Sequence, residues 1–242
     1  MNVVYEPKGR AGEYSPLACN LYMGCTHGCK YCFAPACMRK KPDEWHTNVT
    51  LRKNVIHLFE KDAQKLKGDS RRILFSFLSD PYQPLEREQR LTRQALEIVD
   101  KYRLNSQILT KGSCDLISGD LPLMKSAGAW LGITVCFVDD DIRKEWEPDA
   151  SPVDDRFDVL KEAHDRGIYT WVSLEPVIDP DQALAVIKKS YKHVDFWKVG
   201  KLNHMKEVES KVDWKKFRID VTSLLDKLGA NYYIKEDLRK FA

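Results

Sequence analysis

Short apolar runs alternate with longer amphipathic stretches along nearly the whole chain, and this alternation restricts the fold more than any other feature. Strand–helix repetition implies parallel strands joined by right-handed crossovers, in either a doubly wound sheet or a full or partial barrel. The apolar runs predict strands at 17–22, 72–77, 105–110, 129–137, 168–174, 194–200 and 231–235. The intervening stretches predict helices at 49–66, 86–103, 153–166, 181–191 and 213–228.

Polar segments come directly after successive predicted strands, and they favour the barrel. They are SDPYQP, TKGSC, DDD, EPVIDP and GKLN. The carboxyl ends of barrel strands open onto one mouth, where barrel enzymes place their chemistry, whereas a doubly wound sheet concentrates such residues at a switch point. We therefore predict an α/β fold with a parallel sheet, a partial (β/α)6 TIM-type barrel. It would form a single domain over residues 1–242, with its core at about 16–236.

The segment GCTHGCKYCFAP, residues 24–35, places Cys25, Cys29 and Cys32 within eight residues, just after the first predicted strand. The chain has seven cysteines, an odd number, and its beginning lacks the apolar core of a secretion signal. We therefore expect a cytoplasmic protein with reduced thiols, in which clustered cysteines bind metal or do chemistry. No apolar run approaches the roughly 20 residues of a membrane span, so we expect no membrane partner.

Three clustered thiolates suit either zinc or an iron–sulfur cluster. A structural zinc site needs a fourth ligand, which His27, Cys37 or Cys19 could supply. A four-iron cluster held by three cysteines instead leaves one iron open for a substrate or cofactor. The net charge of +3 is too small to indicate nucleic-acid binding by itself, and basic clusters such as MRKK at 38–41 are typical of solvated surface.

The spacing C-x3-C-x2-C, with the aromatic Tyr31 before the third cysteine and a β/α chain around it, resembles the radical S-adenosylmethionine (SAM) superfamily. The resemblance implies a [4Fe–4S] cluster on Cys25, Cys29 and Cys32, whose open iron takes the amino and carboxylate groups of S-adenosylmethionine. Electron transfer would release a 5′-deoxyadenosyl radical, and the cofactors would carry out the bond cleavage. A reductant protein such as flavodoxin or ferredoxin is implied as a partner.

Two loops, GCTHGCKYCFAP and SDPYQPLE, together resemble the spore photoproduct lyase-like branch, and SLEPVI and YYIKE resemble a related phage-associated group. That branch implies a nucleic acid or nucleotide substrate and lyase-type radical chemistry. The chain is shorter than spore photoproduct lyase, so thymine-dimer repair itself is not implied. The alternatives are radical modification of a small metabolite or peptide, a non-catalytic iron–sulfur or zinc sensor, and a nucleic-acid-binding module without chemistry.

The strand ends supply further candidate residues. Ser79 and Asp80 would contact the methionine amino group, Lys111 a carboxylate or phosphate, and Thr134 a ribose or carboxylate, while Glu175 would face adenine or the substrate. The alternatives are an Asp-Pro turn and ordinary strand or surface residues. The predicted cofactor-binding residues are Tyr31, Ser79, Asp80, Lys111, Thr134, Glu175 and Val177.

Two other cysteines are candidate catalytic residues, because a thiol can donate a hydrogen atom to a substrate radical. Cys114 follows the third predicted strand and would lie at the barrel mouth. Cys136 shares a strand face with Thr134, since side chains two residues apart point the same way. The alternative for each is a buried structural thiol.

Overall fold

An eight-stranded sheet organises the protein in the computed structural model, which describes residues 2–241. Its strands follow one another in chain order, and all neighbours are parallel except the first pair. The large sheet contains β1 (Val4–Tyr5), β2 (Leu17–Cys19), β5 (Ile73–Phe75), β6 (Ser106–Thr110), β7 (Trp130–Thr134), β8 (Thr170–Val177), β9 (Phe196–Lys201) and β10 (Tyr232–Ile234). This order has no reversal, which confirms the partial barrel over the doubly wound sheet.

Helices connect the parallel strands. They are α1 (Ala34–Cys37), α2 (Pro42–Thr47), α3 (Val55–Lys65), α4 (Glu86–Gln89), α5 (Leu91–Tyr102), α6 (Cys114–Ile117), α7 (Leu121–Ala127), α8 (Asp140–Trp146), α9 (Val153–Asp165), α10 (Pro180–Ser190), α11 (Lys206–Glu209), α12 (Trp214–Lys227) and α13 (Glu236–Arg239). Short 3-10 helices cover Gly9–Glu13, Ser118–Asp120 and Tyr191–His193. No helix within residues 2–241 is long and apolar enough to cross a membrane.

The predicted strand 17–22 is in fact two strands in two sheets. Residues beyond β2 leave the large sheet, and β3 (Tyr22–Met23) pairs antiparallel with β4 (Thr50–Leu51). The Asn20 side chain marks the departure, because its Oδ1 accepts a hydrogen bond from the Leu78 N–H at 2.8 Å. The predicted helix 49–66 consequently begins only at Val55.

Other predicted boundaries also moved. The strand predicted at 129–137 ends at Thr134, although residues 135–137 are completely buried. Burial makes a run apolar without requiring that it pair with another strand. The helix predicted at 86–103 breaks at Arg90, whose φ of 50° is left-handed. The DDD segment is the start of α8, where the Asp139 carboxylate accepts hydrogen bonds from two backbone N–H groups as an N-cap.

The segment between β1 and β2 packs inside the curve of the sheet. The carbonyl of Tyr14 accepts hydrogen bonds from Gln107 Nε2 on β6 at 2.9 Å and from Lys198 Nζ on β9 at 2.7 Å. Its ring lies 6.1 Å from the ring of Trp171 on β8. Trp171 in turn fits only because Gly132 has no side chain, since a Cβ there would lie 2.1 Å from the indole. The interior of the partial barrel is therefore filled by side chains.

Candidate functional site

A cavity of about 450 Å³ opens at the carboxyl ends of strands β5 to β9. Four of the five polar segments that follow the predicted strands contribute to its wall, and the DDD segment does not. The amino-terminal residues Lys8, Arg10 and Tyr14 line it as well. One mouth thus gathers residues from opposite ends of the sequence, as the barrel prediction required.

Five of the seven predicted cofactor-binding residues line this cavity, and they are Tyr31, Asp80, Lys111, Thr134 and Glu175. The other two do not. The buried Ser79 Oγ donates a hydrogen bond to the Tyr22 carbonyl at 3.1 Å, and the Val177 side chain is completely buried in the core. Both side chains are therefore turned away from the space in which a ligand would lie.

The loop carrying Cys25, Cys29 and Cys32 lies between β3 and α1 and is held from two sides. The Cys25 N–H donates to the Trp45 carbonyl at 3.4 Å, and the Lys30 N–H donates to the Trp146 carbonyl at 2.9 Å. Burial raises the pKa of the Cys29 thiol to about 12, although Lys111 acts in the opposite direction. A bound metal would have to replace these protons, because thiolates and not thiols are metal ligands.

The positions of the sulfurs discriminate between the two kinds of metal centre. The three thiol sulfurs do not all lie within 4.8 Å of one another, since the one group of metal-binding side chains in residues 2–241 that meets this limit is elsewhere. A tetrahedral zinc would hold its sulfurs about 3.8 Å apart. His27, one candidate for a fourth zinc ligand, instead directs Nδ1 at Asp80 Oδ2, 3.5 Å away. Three separated thiolates fit a polynuclear cluster better than a single ion.

Asp80 connects three of the segments that form the cavity. Its Oδ1 accepts a hydrogen bond from the Tyr82 N–H at 2.8 Å, which is an Asx-turn, and another from the Thr110 hydroxyl. Its Oδ2 accepts from the Lys111 N–H at 2.7 Å. The carboxylate therefore joins the β5 loop to the end of β6, and through His27 it contacts the cysteine loop.

A buried ion pair lies behind the cysteine loop. The Arg156 guanidinium and the Glu147 carboxylate, both completely buried, approach to 2.6 Å. Tyr31 donates its hydroxyl hydrogen bond to Glu147, and Arg156 Nη1 donates to the Thr134 carbonyl at 3.0 Å. Burial opposes ionisation of Glu147, but Arg156 and Lys111 together hold its pKa below the ordinary value.

Sequence reasoning missed this ion pair. Its one signal was local: Arg156 shares the apolar face of α9 with Leu160 and Ala163, at i+4 and i+7. A cation in an apolar stripe requires a buried counter-charge, but nothing in the sequence points to Glu147 as that partner.

A second buried pair lies across the cavity. Lys235 Nζ is 2.7 Å and 2.9 Å from the two Glu175 oxygens, and Tyr14 donates its hydroxyl hydrogen bond to the same carboxylate. Burial raises the pKa of Glu175 above its ordinary value, while Lys235 and Tyr14 oppose that shift. Gly200 makes room for this arrangement, because a Cβ there would lie 2.6 Å from Glu175 Cδ. The contribution of Tyr14 has no signal in the sequence.

The two predicted hydrogen-atom donors do not line the cavity. The expected position of Cys114 at the mouth is not found, because α6 carries its sulfur to within 3.2 Å of Ser118 Oγ and 3.9 Å of Glu162 Oε2. Cys136 is completely buried beyond the end of β7. Cys37, at the end of α1, is an exposed cysteine that does line the cavity.

Lys198 gives the structure a testable dependence on pH. Burial and the neighbouring Lys235 lower its pKa from 10.5 to about 8. The unfolded chain therefore binds more protons than the folded chain between these values, so this group makes stability rise as pH increases from about 8 to 10.5. We expect Lys198→Met to remove this rise, as measured by urea unfolding of both proteins across the window. Identical pH dependence in the two proteins would contradict the assignment.

Comparison with known proteins identifies the family. The sequence model of the radical SAM superfamily matches residues 19–194. An uncharacterized protein of Methanocaldococcus jannaschii is 33% identical over 164 residues, which cover 67% of this chain and 60% of that protein. An uncharacterized protein of Mycobacterium tuberculosis is 27% identical over 120 residues, covering 48% of this chain and 35% of that protein. The chain thus spans less than two thirds of the length of these relatives.

Solved structures share the fold at low sequence identity. A variant of spore photoproduct lyase superimposes with a TM-score of 0.74 at 13% identity, covering 97% of this chain and 79% of the other. SuiB of Streptococcus suis, bound to S-adenosylmethionine, superimposes with a TM-score of 0.66 at 13% identity, covering 90% of this chain and 49% of the other. At such identities the likeness shows a common fold.

Proposed function

The chain belongs to the radical SAM superfamily, and from that premise we propose that it is an enzyme that cleaves S-adenosylmethionine reductively and uses the radical on a nucleic acid or nucleotide. The observation that carries the proposal is the position of the cysteine loop beside a cavity lined by Asp80, Lys111 and Glu175. The family implies both a [4Fe–4S] cluster and S-adenosylmethionine. Spore photoproduct lyase, which shares the fold, has been solved with S-adenosylmethionine and a dinucleoside photoproduct.

In this proposal Cys25, Cys29 and Cys32 hold the cluster. When bound, the cluster supplies the electron that cleaves S-adenosylmethionine to a 5′-deoxyadenosyl radical, which abstracts hydrogen from the substrate. The electron comes from outside the chain, and we propose a reductant protein such as flavodoxin or ferredoxin. Tyr31 covers the loop, and its hydrogen bond to Glu147 holds the ring in place.

The cavity wall would orient S-adenosylmethionine. Lys111 lies with Nζ 5.5 Å from the centre of the Tyr31 ring, where its ammonium can pair with the methionine carboxylate. Asp80 brings a carboxylate to the same region, although its hydrogen bonds already hold it in place. Glu175, Tyr14 and Lys235 form the opposite wall, where a polar substrate would contact them. The cavity is large enough for a ligand of the size of a nucleoside.

The rim of the cavity supports an anionic, phosphate-bearing substrate. Lys8 and Arg10 are exposed and line the mouth, and the exposed Arg39 and Lys41 follow Cys37 at its edge. Within residues 2–241, no carboxylate lies within salt-bridge distance of Lys8, Arg39 or Lys41. Cations without a counter-charge beside an active site are suited to phosphate contacts.

Salt-dependent binding of a single-stranded DNA oligonucleotide tests the substrate class. We expect the double variant Arg39→Ala/Lys41→Ala to bind more weakly and to lower the slope of log affinity against log salt by about 2, because each lost phosphate contact lowers it by about 1. The matched control is Lys188→Ala/Lys227→Ala, which removes two exposed lysines from helix ends at the opposite end of the sheet.

Equal slopes for the two double variants, or no binding, would refute the nucleic-acid substrate. The radical chemistry is tested separately by formation of 5′-deoxyadenosine in reduced protein. If that product forms without nucleic-acid binding, the substrate is a small metabolite or a peptide, the class represented by the precursor peptide solved with SuiB. If it does not form in cluster-loaded protein, a sensing role replaces catalysis.

A further inference from the structure

Two histidines and an aspartate converge at the end of the sheet opposite the cavity. His164 and Asp165 end α9, just before β8, and His193 ends a 3-10 helix just before β9. One ligand atom from each of the three side chains lies within 4.8 Å of the others. Because β8 and β9 are parallel neighbours, the loops that precede them meet at the amino ends of the strands. The cluster is therefore remote from the cysteine loop and its chemistry.

The hydrogen bonding of these side chains leaves a ligand position unused. His193 Nδ1 is buried and has no hydrogen-bond partner among residues 2–241. A buried polar nitrogen without a partner is costly, and such atoms in native proteins often bind an ion or a water. The two imidazole rings lie with their centres 5.6 Å apart at 71°, so they are not stacked.

A further carboxylate can orient one of the histidines. Asp195 Oδ1 lies 3.9 Å from His164 Nε2, while its Oδ2 accepts hydrogen bonds from the Thr170 N–H at 2.7 Å and the Thr170 hydroxyl at 3.1 Å. Thr170 also donates its hydroxyl to the His193 carbonyl at 2.7 Å. The start of β8 thus holds both loops, and a carboxylate beside a histidine is a common support for metal ligands.

We propose that His164, Asp165 and His193 bind a divalent transition-metal ion of the zinc class, with water completing its coordination. Two imidazole nitrogens and one carboxylate oxygen are a donor set that zinc accepts. The ligand atoms must approach to about 3.3 Å around such an ion, which a small rotation of these partly exposed side chains achieves. The site is independent of the proposed radical chemistry, and its ion would clamp the loops before β8 and β9.

Neighbouring cations do not prevent binding. Lys161 pairs with one Asp165 oxygen at 2.6 Å, which leaves the other oxygen for an ion. Arg166, the next residue, is turned to Glu162 at 2.8 Å and is neutralised there.

Zinc titration of the anaerobic, cluster-loaded protein tests this site, with iron content followed at the same time. We expect one zinc per chain with a dissociation constant of micromolar or lower, weakened at least about 100-fold in His164→Ala and in His193→Ala. His57→Ala, which removes an exposed histidine on α3, should bind zinc as the unchanged protein does. Zinc at a 100-fold excess over its dissociation constant should raise Tm by about 5 °C in the unchanged protein and in His57→Ala, but not in the other two variants.

Three results would overturn the site. One is equal zinc affinity in His193→Ala and His57→Ala. Another is binding weaker than the micromolar range in the unchanged protein. The third is release of iron on zinc binding, which would show that the cysteine loop had taken up the metal.

Discussion

Cys29→Ala is expected to lose the iron–sulfur cluster and to form 5′-deoxyadenosine at least about 100-fold more slowly than the unchanged protein. Cys29 is the middle cysteine of the loop and is 9% exposed. Outer-sphere changes around metal sites already cost about 10- to 100-fold, so removal of a ligand should cost more. Iron content, the visible absorbance and the electron paramagnetic resonance of the reduced protein measure the cluster directly, with and without S-adenosylmethionine.

The control for this variant is Cys114→Ala, because Cys114 lies against Ser118 and Glu162 outside the cavity. It should keep its iron and its spectrum. The circular dichroism of Cys29→Ala should match that of the unchanged protein, since alanine replaces one small side chain in a loop. Full iron content in Cys29→Ala, or a silent, zinc-containing unchanged protein, would refute the assignment of the cysteine loop.

Arg156→Met is expected to lower the free energy of unfolding by about 3 to 5 kcal/mol, because it leaves the Glu147 charge buried without its partner. Both side chains of the pair are completely buried. Urea unfolding of the cluster-free protein measures the loss. The matched control on the same helix is Lys161→Met, which breaks an exposed pair with Asp165 and should cost less than about 1 kcal/mol.

A second variant separates loss of the charge pair from loss of packing. Glu147→Leu/Arg156→Met removes both charges and should recover most of the stability, since apolar replacement of a whole buried pair is often neutral or favourable. Arg156→Met and Lys161→Met of equal stability would contradict the buried pair. A double variant as unstable as Arg156→Met would instead assign the loss to the shape of the side chains.

Predictions from sequence held where one local pattern was sufficient. The alternation of apolar runs predicted the parallel sheet, and the position of polar residues after strands placed Asp80, Lys111, Thr134 and Glu175 at the cavity. They failed where a residue's local position did not determine its direction. Ser79 is adjacent to Asp80 but faces the Tyr22 carbonyl, and Cys114 follows β6 but is carried by α6 to Glu162.

The sequence by itself determined the order and type of the main elements and the spacing of the three cysteines, because both depend on residues close together in the chain. Only the tertiary structure decided which distant charges meet. Tyr14 meets Glu175 across 161 positions, and Glu147 comes to lie beneath Tyr31 across 116. These contacts form because a buried charge or hydroxyl must find a partner within the folded interior, and no local pattern relates residues so far apart.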